Sequence, residues 1–178
     1  MGVCPVLRRL LALAVIACGG FGCTNQEPSV APNLELERFQ GRWYEVARIP
    51  RDYDQRCHDT TADYRLVAPG KLELHHQCRL RSFTGTLSQF VAPATADDPA
   101  VPAKLTLDLG LYHGAYWVLE VGKDYDYALI GHPSLTMLWV LSRAKTLPSD
   151  VLDELKQRAS REGYDPSALV MTPMSSEE

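Results

Sequence analysis

No apolar run in this chain of 178 residues is long enough to cross a bilayer, which takes about 20 residues. A mean hydropathy of −0.17 likewise argues against a polytopic membrane protein. Basic charge is not in excess: 18 Lys and Arg stand against 22 Asp and Glu, a formal net charge of −4, with no basic cluster. That balance gives no electrostatic case for nucleic acid as a partner. Also missing are a Gly-x-Ser-x-Gly elbow, a Walker loop, a dinucleotide fingerprint and a His-Glu-x-x-His pair, so no cofactor is implied and an enzyme is not the expected reading. Ser134 beside His132 falls in a predicted turn without an obvious acid. Cys57-His58 and His75-His76-Gln77-Cys78 do not have zinc spacing, and His75 and His76 would face opposite sides of a strand, so no metal is expected. No internal repeat is present.

What is there begins with a segment different in kind from the rest. Arg8-Arg9 precede the apolar run Leu10–Ala17, which reads as a secretory signal over residues 1–17. Its end, Val15-Ile16-Ala17-Cys18, resembles the lipobox of bacterial lipoproteins, in which the cysteine is acylated and becomes the first mature residue. Cys23 is the alternative, with a poorer match ahead of it. Gly19 rather than Asp after Cys18 implies an outer-membrane address, with the periplasmic face as the expected side. Two or more acyl chains suffice for stable anchoring. Residues 18–33, rich in Gly, Pro and small polar residues, read as a flexible tether. Removing Arg8 and Arg9 with the signal leaves 16 basic against 22 acidic residues, a net charge of −6.

From residue 34 the pattern is that of strands. Gly41-Arg42-Trp43-Tyr44-Glu45-Val46-Ala47-Arg48 has the aromatic and β-branched content of a half-buried strand, entered through a glycine. Turn signals then recur every ten residues or so. Strands are predicted over 60–67, 71–78, 81–91 (Gly85 marking a bend), 104–109, 115–121, 127–131 and 137–143, eight in all. Pro93 to Pro102 reads as a loop. A helix follows, with Ser149 as its cap, Gly163 as its stop and Val151, Leu152, Leu155 and Ala159 on the face that packs. Residues 168–172 can add an edge strand, and 175–178 should be frayed. The expected fold is all-β: an eight-stranded antiparallel up-and-down barrel over residues 34–174, with one C-terminal helix outside.

Three ordered motifs support that architecture. Gly-x-Trp-Tyr at Gly41–Tyr44, Tyr-x-Tyr-Ala-Leu-Ile at Tyr125–Ile130 and Trp-x-Leu-Ser-Arg at Trp139–Arg143 resemble the signature regions of the lipocalins. The finer pattern, Trp-Tyr-Glu-Val-Ala-Arg, then Cys57, Thr61-Ala-Asp-Tyr64 and Gly70-Lys71, is similar to the bacterial lipocalins and their animal relatives of the apolipoprotein D type. The resemblance implies a barrel that holds a small hydrophobic ligand.

The first and last motifs supply a floor. Arg143 stacked on Trp43 would contribute roughly 1–2 kcal/mol when partly desolvated. With both pointing inward, strict alternation sends Glu45, Ala47, Leu141 and Trp139 inward too. The charge pattern makes Ala62, Tyr64 and Leu66 interior against Asp63 and Arg65, and Leu72, Leu74 and His76 interior against Lys71 and Glu73. On 115–121 alternation leaves two choices, and the resemblance favours Tyr116. The expected ligand-lining set is therefore Glu45, Ala47, Tyr64, Leu66, Leu74, His76, Tyr116 and Trp139, with Trp43 and Arg143 structural. Counting outward from the turn at Pro69-Gly70 places Cys57 nearly opposite Cys78, so a disulfide is expected.

The ligands that suit such an interior are fatty acids, lysophospholipids or similar amphiphiles, held by a monomer or weak homodimer for envelope lipid storage, transport or repair. The competing expectations are an enzyme using Glu45 with His76 in the same pocket, and a structural lipoprotein packed shut.

Overall fold

The computed structural model describes residues 27–52, 54, 56–111 and 113–176. The expected signal, Cys18, Cys23 and the start of the tether lie outside the described residues, as do 177 and 178.

A short helix, α1 (Leu36–Phe39), leads into β1 (Gly41–Arg48), followed by β2 (Cys57–Ala68), β3 (Lys71–Leu80), β4 (Leu87–Ala96), β5 (Lys104–Asp108), β6 (His113–Val121), β7 (Tyr127–Gly131) and β8 (Leu138–Ser142). Each strand pairs antiparallel with its neighbour in sequence, and β1 pairs with both β2 and β8, closing an eight-stranded up-and-down barrel. Helix α2 (Ser149–Arg161) and a short β9 (Val170–Met171) complete the chain. β9 adds to β1 at Ala47 and Arg48, beyond the point where β2 has parted from it.

Two apolar clusters divide the barrel wall. The inner one gathers Phe39, Trp43, Tyr64, Leu72, Leu74, Leu105, Tyr116, Ile130 and Leu141; the outer one joins Val46, Trp117, Leu119, Leu129 and Val140 to Leu155, Ala159 and Tyr164 beneath α2. Alternation along each strand accounts for the division except at two bulges. The β1–β8 register shifts between Glu45 and Ala47, so Val46 and Ala47 both face outward and Arg48 turns back in. Ala47 is thus corrected: it packs under α2, not towards the interior. A shift between Val118 and Glu120 on β6 similarly lets Glu120 reach Arg158 of α2 at 3.3 Å while Val121 packs inside.

Several boundaries differ from the sequence reading. The stretch Arg81–Thr86 is the β3–β4 turn rather than strand, and a Cβ on Gly85 would lie 1.9 Å from the Leu80 carbonyl oxygen. β4 runs on through Pro93 to Ala96, displacing the expected loop. Ser149 is the first helical residue, with Pro148 at the cap position and no side-chain capping bond. Residues 27–33, expected within the tether, lie against the barrel. Ala31 is buried and donates its N–H to the Val118 carbonyl, and Ser29 bonds Glu162, because Val30 and Ala31 cover apolar surface that would otherwise meet water. Ser175 is likewise tied to Asp59 and Lys145.

Candidate functional site

The floor of the barrel is built where β1 and β8 meet α1. The Arg143 guanidinium lies 3.7 Å from the centroid of the Trp43 ring. It also donates to the carbonyl oxygens of Arg42, Gln40 and Arg38 at 2.8, 2.8 and 3.1 Å, and to that of Tyr125 at 3.1 Å. One planar fork therefore satisfies the carbonyls left over at the end of α1 and fixes the entry to β1. Gly41 permits this approach, since its φ is +92° and a Cβ would meet the guanidinium at 3.3 Å. Phe39 packs on Trp43 with ring centroids 4.9 Å apart and accepts the indole N–H through its carbonyl at 2.8 Å. Both rings are fully buried.

Above the floor is a cavity of about 540 Å³, within the range of small-molecule sites. Its lower wall is Ala62, Leu74, Tyr116, Trp139 and Leu141, and its upper wall includes Phe90, Leu107, Leu109 and Met137. Of the residues expected to line it, Glu45, Leu74, His76, Tyr116 and Trp139 do so. Tyr64 and Leu66 face inward but lie in the packed inner cluster, outside the lining. Tyr64 still reaches the cavity at one remove, through a 2.6 Å hydrogen bond between its hydroxyl and that of Tyr116. Burial holds the Tyr64 phenol well above its ordinary pKa, so it stays neutral. Tyr116 in turn packs on Trp139 with centroids 5.6 Å apart.

One side of the cavity is polar. The bulge that turns Ala47 out brings Arg48 in, where it is almost fully buried. Its Nη1 donates to Glu45 Oε1 at 2.7 Å and to Thr172 Oγ1 at 2.9 Å, and its Nη2 to the Asp54 carbonyl at 2.6 Å. Thr172 also donates to Glu45 Oε1, at 2.9 Å. Removal from water raises the Glu45 carboxyl above its ordinary range despite Arg48 and Thr172, and burial raises Asp54 as well. Among the described residues, Arg48 Nε, Asp54 Oδ2 and Thr60 Oγ1 have no hydrogen-bond partner, and Asp54 and Thr60 line the cavity. Polar atoms of Asp54 and Thr60 thus border an apolar space, an arrangement able to hydrogen-bond a polar group of a ligand whose apolar part meets the wall.

His76 stacks on Phe90, centroids 4.8 Å apart, and burial, with a smaller contribution from Arg48, lowers its pKa to about 4. It is neutral near pH 7. Cys57 and Cys78 form a disulfide across β2 and β3, with Cα atoms 5.3 Å apart, and this removes both sulfurs from any metal site. Among the described residues no three His, Cys, Asp or Glu side chains are grouped to hold a metal ion.

Sequence reasoning missed Arg48, Asp54 and Phe90. The Phe90–His76 pair follows from register with β3, and was lost because the β3–β4 turn was placed too early. Arg48 carried no such signal, since strict alternation sends it outward.

A closed barrel with a plugged floor and a largely apolar cup defines a container for a small hydrophobic molecule. Residues 34–174 match the model of the lipocalin-like domain, and the chain belongs to the lipocalin family. It is 31% identical to apolipoprotein D of Cavia porcellus over 188 aligned positions, covering 97% of this chain and 95% of that protein. It is 29% identical over 170 positions to the outer membrane lipoprotein Blc of Escherichia coli K12, covering 91% and 96%. Among solved structures, insecticyanin from the tobacco hornworm Manduca sexta superposes with a TM-score of 0.64 at 21% identity, over 86% of each chain.

Proposed function

We propose that this protein is a membrane-anchored lipid-binding lipocalin, holding a fatty acid, a lysophospholipid or a similar amphiphile for envelope lipid storage, transport or repair. The observation that carries the reading is the cavity of about 540 Å³, shut below by Trp43 and Arg143 and bordered on one side by Glu45, Asp54 and Thr60. Each methylene taken from water contributes about 0.8 kcal/mol, so about eight of them supply ~6 kcal/mol before the costs of association. Leu74, Tyr116, Trp139 and His76 contact the chain, and the polar side orients the head. Tyr64 acts through Tyr116.

The similarity to an outer membrane lipoprotein supports the second half of the proposal. Residues 1–17 are a signal, Cys18 (or Cys23) carries the acyl chains, and the protein sits on the periplasmic face of the outer membrane as a monomer or weak homodimer. A binding role fits better than catalysis: Glu45 is held by Arg48 and Thr172, an arrangement suited to orienting a head group rather than to moving a proton. A cavity of this size also counts against a barrel packed shut. Tryptophan fluorescence during titration with a monomeric lysophospholipid tests the reading. A saturable change whose midpoint Trp139→Ala raises about tenfold supports it; a flat titration refutes it.

A further inference from the structure

The barrel is not evenly closed. β4 pairs with β3 along nearly its whole length, from Thr95 down to Leu87, but with β5 only at Ala94, Thr95 and Ala96. Residues 87–93 therefore have no ladder partner on the β5 side among the described residues. Pro93, which has no N–H to offer a ladder, falls in this stretch. The gap runs from the open end of the barrel down its side, and apolar side chains edge it. Phe90 and Leu109 line the cavity, yet are 39% and 43% exposed, so the cavity's apolar wall continues onto the outer surface. Beyond them the tips of the two flanking turns carry Phe83, 45% exposed with one edge against the His58 ring, and Leu111, which is fully exposed. Leu87 and Val91 extend the same patch.

Charge of one sign sits beside it. Arg79 and Arg81 are exposed at the end of β3, and Arg81 donates its N–H to the carbonyl of Arg56, a third exposed arginine, at 2.7 Å. No acidic residue occurs from Arg79 to Ala96. Acids stand at the same rim but are engaged: Asp54, in the loop that carries Asp52 and Arg56, lies 3.6 Å from Arg48, Asp108 lies 3.5 Å from His113, and Asp59 accepts from Ser175. Exposed aromatic and aliphatic tips next to arginines, on a chain of net negative charge, are the marks of a surface that meets an anionic lipid interface.

We propose that the open end of the barrel docks on an anionic lipid bilayer through Phe83, Leu87 and Leu111, steered by Arg56, Arg79 and Arg81, and that an acyl chain passes sideways through the β4–β5 gap. Only the second clause rests on the lipid-binding reading given above. An acyl chain that enters this way leaves the bilayer without crossing bulk water, since the apolar path from patch to cavity is unbroken at Phe90 and Leu109.

Hydrogen exchange on the full chain tests the docking, because it reports where a vesicle protects the protein whatever else holds the N-terminal segment. With vesicles of phosphatidylglycerol and phosphatidylethanolamine, exchange in 81–88 and 109–111 should slow by about fivefold or more. Phosphatidylcholine vesicles, or high salt, should largely remove the effect. Phe83→Ser with Leu111→Ser should abolish it while leaving the affinity for monomeric dodecanoyl-lysophosphatidylcholine in solution unchanged. Absence of vesicle-dependent protection in these segments overturns the proposal. So does the same protection appearing without vesicles and growing with protein concentration, which would put a second copy of the chain on the patch. Failure of the unaltered chain to bind the soluble lysophospholipid, with the tips still protected by vesicles, would instead remove the cavity reading and leave the docking in place.

Discussion

His76 illustrates how one side chain can set a pH dependence. Its pKa is about 4 in the folded barrel and near 6.5 in an unfolded chain, so the unfolded state gains a proton first as pH falls. The stability this group confers is fully present above about pH 6.5 and is lost progressively down to about pH 4. Between pH 7.5 and pH 5 the loss should be about 2 kcal/mol. Glu45 and Asp54, both raised by burial, act with the opposite sign: their protonation on acidification favours the folded state. The contribution of His76 is therefore isolated by difference. Urea midpoints of the unaltered chain should fall more steeply from pH 7.5 to pH 5 than those of His76→Gln; parallel slopes would show that His76 is not buried as described. At the same scale, Trp139→Ala should weaken amphiphile binding by about tenfold, as loss of a large apolar contact implies, and should also lower the urea midpoint, because Trp139 packs against the inner cluster and on Tyr116.

At the scale of elements, the join between β8, α1 and β1 has the most to lose. Arg143 is held by five backbone carbonyls and an indole face, a set that only a planar fork can satisfy together. Arg143→Lys should cost about 2–3 kcal/mol of stability in urea unfolding, through stranded carbonyls and a lost stacking contact. A near-neutral result would mean that the floor is closed by Trp43 and Phe39 without it. The β2–β3 hairpin carries the disulfide. Cys57 and Cys78 are 21 residues apart, and a bridge closing a loop of that size should stabilise by about 3 kcal/mol, read as a shift of the urea midpoint on adding reductant. The elements also mark where sequence reading stopped. Alternation placed Trp43, Glu45, Leu74, His76 and Leu141 on the inside because β1 before its bulge, β3 and β8 are regular there. It failed at Ala47 and Arg48 because a bulge inserts one residue without any residue type that announces it.

For the whole molecule, the strand count, the antiparallel order and the packing helix were legible because turn residues and two periodicities mark them locally. What was not legible depends on distances between strands far apart in sequence. The polar side joins Glu45 and Arg48 of β1 to Asp54 of the following loop and Thr172 beyond β9, and no local pattern links 45 to 172. The β4–β5 gap is a mismatch in strand length that appears only once both strands are in register. The central claim is that the cup between these elements carries a lipid. Native mass spectrometry of the protein isolated from its own host is the direct test. The expected result is an added mass equal to an acyl-chain lipid, released by organic solvent and absent from Leu107→Trp, whose larger ring fills the cavity. Protein that carries no such mass, or an equal load on the blocked variant, would contradict it.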